Sequence, residues 1–81
     1  MYFTYIIYSE TTNHYYVGST QDVEERLKRH NAEHSTSTKG KGPWILITTF
    51  GFDSRSEAMA LEIKIKKRGI KRFLQNNSEN G

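Results

Sequence analysis

Two short runs, Tyr2-Phe3-Thr4-Tyr5-Ile6-Ile7-Tyr8 and His14-Tyr15-Tyr16-Val17, decide the reading of the fold. In the first, Phe3, Tyr5 and Ile7 alternate with Thr4, Ile6 and Tyr8, so each set occupies one face of a strand. Both runs are rich in β-branched and aromatic residues, and a short polar link, residues 9–13, separates them. That pattern predicts an antiparallel hairpin. Gly18 closes the second run, either as a bulge or as a place where another group approaches the backbone.

Beyond the hairpin, Thr20 or Asp22 can cap a helix that runs to about Asn31, with Asp22, Glu24 and Glu25 supplying anions to its first turn. Residues 33–43 form a polar loop containing Gly40, Gly42 and Pro43. Trp44 to Phe50 reads as a third strand. Ser54-Arg55-Ser56-Glu57 has the spacing of a capping box and opens a helix that Gly69 can end. Ala58, Leu61 and Ile65 mark its buried stripe. A short basic segment from Ile70 to Leu74 has room for one more short helix. The order is β-β-α-β-α, an α+β fold whose sheet begins as a hairpin.

With 81 residues, the chain has length for one domain, here residues 1–75 with a polar C-terminal tail at 76–81. It has no cysteine, which rules out disulfides and thiolate zinc sites and fits a reducing compartment. No apolar run approaches the roughly 18 residues of a membrane span, and Met1 leads straight into the first patterned run. The expectation is a cytoplasmic domain without a membrane partner. The formal charge is +3, but its distribution is uneven: residues 62–72 hold six cations (Lys64, Lys66, Lys67, Arg68, Lys71, Arg72) and one anion, Glu62. Clustered positive charge attracts nucleic acid, because neutralising phosphates releases counterions. A solvated helix face whose terminal cations complement the helix dipole accounts for the same residues.

Three placements stand out against that background. Tyr5 and Tyr16 lie on adjoining strands of the hairpin, where pairing can bring both phenols to one side of the sheet; a core tyrosine with a satisfied hydroxyl is the plainer reading. On the first helix, at about 100° per residue, setting Val23 at zero puts Leu27 at about +40°, His30 at about −20° and Arg26 at about −60°. Arg26 and His30 thus flank the apolar stripe, where they need an anion or must reach out to water. On the second helix Glu62 lies about 40° from Ala58 and about 60° from Ile65, at the border of the core. An exposed Glu62–Lys66 pair at i,i+4 is the competing account. Phosphodiester hydrolysis needs a base, a cation on the phosphate oxygens and a metal ion, and these five side chains could serve those roles. His30 and His34, four apart, could in principle grip zinc, but no third ligand is evident.

In that arrangement the chain resembles the GIY-YIG nuclease superfamily, and most closely its small single-domain members. The resemblance spans roughly residues 2–74. The first signature reads Phe3-Thr4-Tyr5, with the tyrosine but without the glycine and isoleucine, followed by Ile6-Ile7-Tyr8-Ser9; the second reads Tyr16-Val17-Gly18-Ser19-Thr20. The stretch from Asp22 to Asn31 is similar to the family's first helix, with Arg26 and His30 one turn apart. Lys39-Gly40-Lys41-Gly42-Pro43-Trp44 looks like the turn into the third strand. Ser56-Glu57-Ala58 with Glu62-Ile63-Lys64 resembles the metal-binding helix.

The resemblance implies a three-stranded antiparallel sheet flanked by helices, and a divalent-metal-dependent DNA endonuclease. By position, Tyr5 and Tyr16 would line the site and one would orient or deprotonate the attacking water. Arg26 would stabilise the phosphorane, His30 would assist proton transfer, and Glu62 would be the sole protein ligand to Mg²⁺ or Mn²⁺. Lys39, Lys41, Lys64, Lys66 and Lys71 are the candidate contacts to DNA, whether single-stranded, branched or duplex, and no small-molecule substrate is expected. Two departures stand out: position 19 is serine where some relatives carry lysine, and no appended DNA-binding domain is expected. Weak sequence specificity and a role in DNA repair, recombination or processing follow as expectations. The alternative is a catalytically inactive nucleic-acid-binding module on the same fold.

Overall fold

The computed structural model describes residues 1–32 and 42–80, the stretch 76–80 by its backbone alone. Six elements follow in order: β1 (Tyr2–Ser9), β2 (His14–Thr20), α1 (Val23–Asn31), β3 (Trp44–Phe52), α2 (Arg55–Arg68) and α3 (Ile70–Asn80). The strands form one antiparallel sheet in the order β2-β1-β3, with the expected hairpin as its first two strands.

Because β1 is central, both its faces are covered and its alternation sorts two cores. Tyr5 and Ile7 pack with Trp44 beneath α1, where Val23, Leu27 and Tyr16 close the cluster. Ile6 packs with Val17 and Ile65 on the opposite face, against Leu61 of α2 and Ile70, Phe73 and Leu74 of α3. Ile6, Ile7 and Ile65 are completely buried, and each such side chain contributes about 1.5–3 kcal/mol. Ala58 lets α2 approach the sheet closely enough for Thr4 Oγ1 to donate to its carbonyl at 2.6 Å.

The caps match the sequence signals. Asp22 caps α1, accepting from the Glu25 amide at 3.0 Å. Ser54 caps α2, accepting from the Glu57 amide while its hydroxyl donates to the Glu57 carboxylate at 2.9 Å. Gly69 ends α2 at φ +96°, a conformation that L side chains rarely adopt.

Three boundaries differ from expectation. Gly18 does not end β2: it stays in the ladder opposite Tyr5, and Ser19 and Thr20 pair with Thr4 and Phe3. β3 continues through Gly51 and Phe52, which pair with Phe3 and Tyr2. The segment beginning at Ile70 is a helix of 11 residues that carries on through much of the expected tail, to Asn80. Its apolar side, Ile70, Phe73 and Leu74, docks on the second core and anchors it. Among the described residues, no helix is long and apolar enough to cross a membrane.

Candidate active site

The centre of the site is a hydrogen bond between the Tyr5 hydroxyl and His30 Nε2 at 2.9 Å. Tyr5 reaches it from the middle of β1, and His30 from the last turn of α1; both are 1% exposed. The helical wheel put His30 at the edge of the apolar stripe, and its ring is in fact fully within the core. Tyr16 stands beside them, its ring 5.0 Å from His30 and 6.4 Å from Tyr5, centroid to centroid. Trp44 closes the aromatic cluster 6.5 Å from His30. Arg26, half-buried one turn before His30, brings its guanidinium to the Tyr5 phenol.

Burial pushes the Tyr5 phenol up to about 12, with the Tyr16 phenol beside it acting in the same direction. The charge and hydrogen bond of Arg26 oppose that rise without overcoming it. Burial also lowers the pKa of His30, and the positive charge of Arg26 lowers it further. Near neutral pH both groups are therefore uncharged, and in the tautomer protonated at Nδ1 the His30 Nε2 accepts from the Tyr5 hydroxyl. A phenol so shifted is no base by itself; its basicity depends on handing its own proton to His30.

The second half of the site lies around the β2 edge. Ser19 points to the α2 face and donates to Glu62 Oε1 at 2.6 Å, while Lys66 Nζ meets Glu62 Oε2 at 2.7 Å. The i,i+4 ion pair is therefore present, on a carboxylate that is also drawn toward the sheet. The Glu62 carboxylate also acts to raise the Tyr5 pKa, which links the two halves electrostatically. Contact with Glu62 raises the pKa of Lys66. A cavity of about 390 Å³ joins the halves at one end of the sheet, lined by Tyr2, Ser19, Arg26, Arg29 and Arg55 among others.

The other sequence candidates are spread more widely. Lys64 lines a basic groove on α2 with Lys67, Arg68 and Arg72, Lys71 is exposed on α3, and Lys39 and Lys41 lie outside the described residues. So does His34, the second histidine of the possible zinc pair, while His30 is turned to Tyr5. Sequence reasoning missed the role of Ser19, treated there as a departure, because its partner lies 43 positions away. It also missed Asn31, whose side chain clamps Trp44 by accepting from its amide at 2.5 Å and donating to its carbonyl at 3.1 Å.

A family model described as the GIY-YIG catalytic domain matches residues 1–76. The chain belongs to the GIY-YIG family. The GIY-YIG domain is 40% identical over 53 residues to a UPF0213 protein of Halalkalibacterium halodurans, covering 64% of this chain and 56% of that protein. It is 46% identical over 54 residues to a UPF0213 protein of Halobacterium salinarum, covering 65% and 70% respectively. The solution NMR structure of a UPF0213 protein from Bacillus halodurans matches the whole chain and 87% of its own, with TM-score 0.59 and 32% identity. The chain thus spans little more than half the length of the Halalkalibacterium relative. Membership places it in a nuclease superfamily, and the names of these relatives state no activity.

Among the described residues no three His, Cys, Asp or Glu side chains converge as a metal cage. A Mg²⁺ site needs less: one or two hard carboxylate oxygens, with water and substrate phosphate completing the shell. Glu62 fits that requirement, with a side chain 20% exposed and hydrogen-bonded to Ser19, which lines the cavity.

Proposed function

We propose that this GIY-YIG domain is a divalent-metal-dependent DNA endonuclease of weak sequence specificity, working in DNA repair, recombination or processing. The observation that carries the reading is the Tyr5–His30 hydrogen bond, buried among aromatic rings with the Arg26 guanidinium alongside. A tyrosine required only for packing has no need of a neutral imidazole and a cation at one hydroxyl.

The phosphate sits against Arg26, in the cavity that Arg26 shares with Ser19. As water attacks phosphorus, the Tyr5 oxygen takes a water proton and passes its own to His30 Nε2. The new phosphorus–oxygen bond forms as the bond to the leaving sugar oxygen breaks, and that oxygen takes a proton from solvent. Arg26 stabilises the charge that builds on the non-bridging oxygens. Glu62 would hold Mg²⁺ or Mn²⁺, which supplies Lewis acidity toward the phosphate. Tyr16, edge-on to His30, orders the imidazole and the water beside it.

The occupation of both Glu62 oxygens by protein donors favours a second reading, a binding module without chemistry. Incubating supercoiled plasmid and single-stranded DNA with the protein separates the two. Nicking in Mg²⁺ or Mn²⁺ that disappears in EDTA is the expected result, and binding without cleavage under every condition would establish the module.

A further inference from the structure

The two oxygens of Glu62 are held in different ways. Ser19 Oγ grips Oε1 at 2.6 Å from the sheet, where it also reaches the Ala58 carbonyl at 3.4 Å. Lys66 Nζ meets Oε2 at 2.7 Å from solvent, and its side chain is 57% exposed against 20% for Glu62. The serine is fixed by its place in the β2 ladder opposite Thr4. The lysine is a flexible arm on the surface of α2 that can leave without disturbing either core.

We propose that Lys66 is an internal competitor for the metal-binding carboxylate: its ammonium and a divalent cation occupy Glu62 Oε2 in turn. This rests on the nuclease reading above. In the metal-free protein Lys66 balances the charge of the carboxylate, while Ser19 holds it by the other oxygen. When the ion binds, its charge repels an ammonium held at contact distance on the same oxygen, so Lys66 is expelled. Its released ammonium, one helical turn from Glu62, contacts a phosphate oxygen of the bound strand. Lys66 thereby becomes a DNA contact only in the metal-loaded protein. Lys67, the next residue, lines the basic groove with Lys64 and Arg68 and has no such role at Glu62.

The test titrates Mg²⁺ alone into the folded protein and follows two NMR signals, the side-chain carboxyl carbon of Glu62 and the Cε–Hε group of Lys66. Both should move with one midpoint. Lys66→Met should tighten Mg²⁺ binding by about two- to fivefold, the competition expected from a solvent-exposed ion pair, and Lys67→Met, which removes equal charge one residue away, should leave it unchanged. A Glu62 signal that titrates while Lys66 stays still, or equal affinities for the Lys66→Met and Lys67→Met proteins, overturns the exchange and leaves the metal site standing. No response of Glu62 to Mg²⁺ at all overturns both the exchange and the metal-dependent reading.

Discussion

Tyr5 lies across Gly18: a Cβ placed on Gly18 would fall 2.6 Å from the Tyr5 hydroxyl oxygen and 2.9 Å from the ring carbon that bears it. The two residues are partners in the β1–β2 ladder, so the phenol folds over its own cross-strand neighbour on its way to His30. The glycine of Tyr16-Val17-Gly18 is thus a space requirement of the first tyrosine. The alternative of a close approach to the backbone, raised by the sequence, is the one realised.

Gly18→Ala therefore tests the placement of Tyr5. Neither partner can give way, because Tyr5 is buried and Gly18 is held in the ladder. Overpacking of this kind costs about 1–3 kcal/mol, measurable by urea denaturation. Cleavage should fall further than the lost stability accounts for, since the hydroxyl moves away from His30. An alanine protein of wild-type stability and rate would show that the Tyr5 hydroxyl is not fixed there.

The shifted groups set the pH behaviour. Tyr5 titrates at 10.0 when unfolded and at about 12 when folded, so the native state resists its ionisation. The linked stability is complete below pH 10 and is lost as the pH rises from 10 toward 12, by about 2–3 kcal/mol. His30 shifts the other way, below its ordinary 6.5. Its contribution is complete above pH 6.5 and is lost as the pH falls from 6.5 through the folded value. Tyr5→Phe should flatten the alkaline limb of a denaturation series while leaving the acid limb. It should also abolish cleavage at every pH, since the proton relay loses its first member.

Arg26 and Lys71 separate chemistry from docking. Arg26→Ala should slow single-turnover cleavage by about 10² to 10³, the usual loss for one donor aimed at developing charge. Saturating enzyme should not restore the rate. Lys71→Ala should weaken DNA binding, lower the slope of affinity against salt by about one, and be rescued by saturating enzyme. Rescue of the Arg26→Ala protein by concentration would make that residue a docking contact.

The legible parts of the site are those governed by local periodicity. Strand alternation put Tyr5 on one face, hairpin pairing offered Tyr16 the same side, and the wheel of α1 set His30 beside its apolar stripe, because each pattern is local in sequence. The caps at Asp22 and Ser54 and the stop at Gly69 are likewise local. What escaped depends on docking between distant segments: the Ser19–Glu62 bond, the Asn31 clamp on Trp44, and the length of β3, which is decided by its pairing with Phe3 and Tyr2. The run of α3 beyond Leu74 escaped because its residues are polar; the helix is anchored by its first turns on Ile6, Val17 and Ile65.

Replacement of Glu62 by glutamine bears most directly on the central claim. The amide keeps the shape and an oxygen for Ser19 but removes the charge that would hold the ion. Single-turnover nicking of supercoiled plasmid in Mg²⁺ should be absent in Glu62→Gln, as it should be for the wild-type protein in EDTA, with circular dichroism reporting an intact fold. Cleavage by the folded glutamine protein at the wild-type rate would contradict the account and leave Glu62 as the surface partner of Lys66.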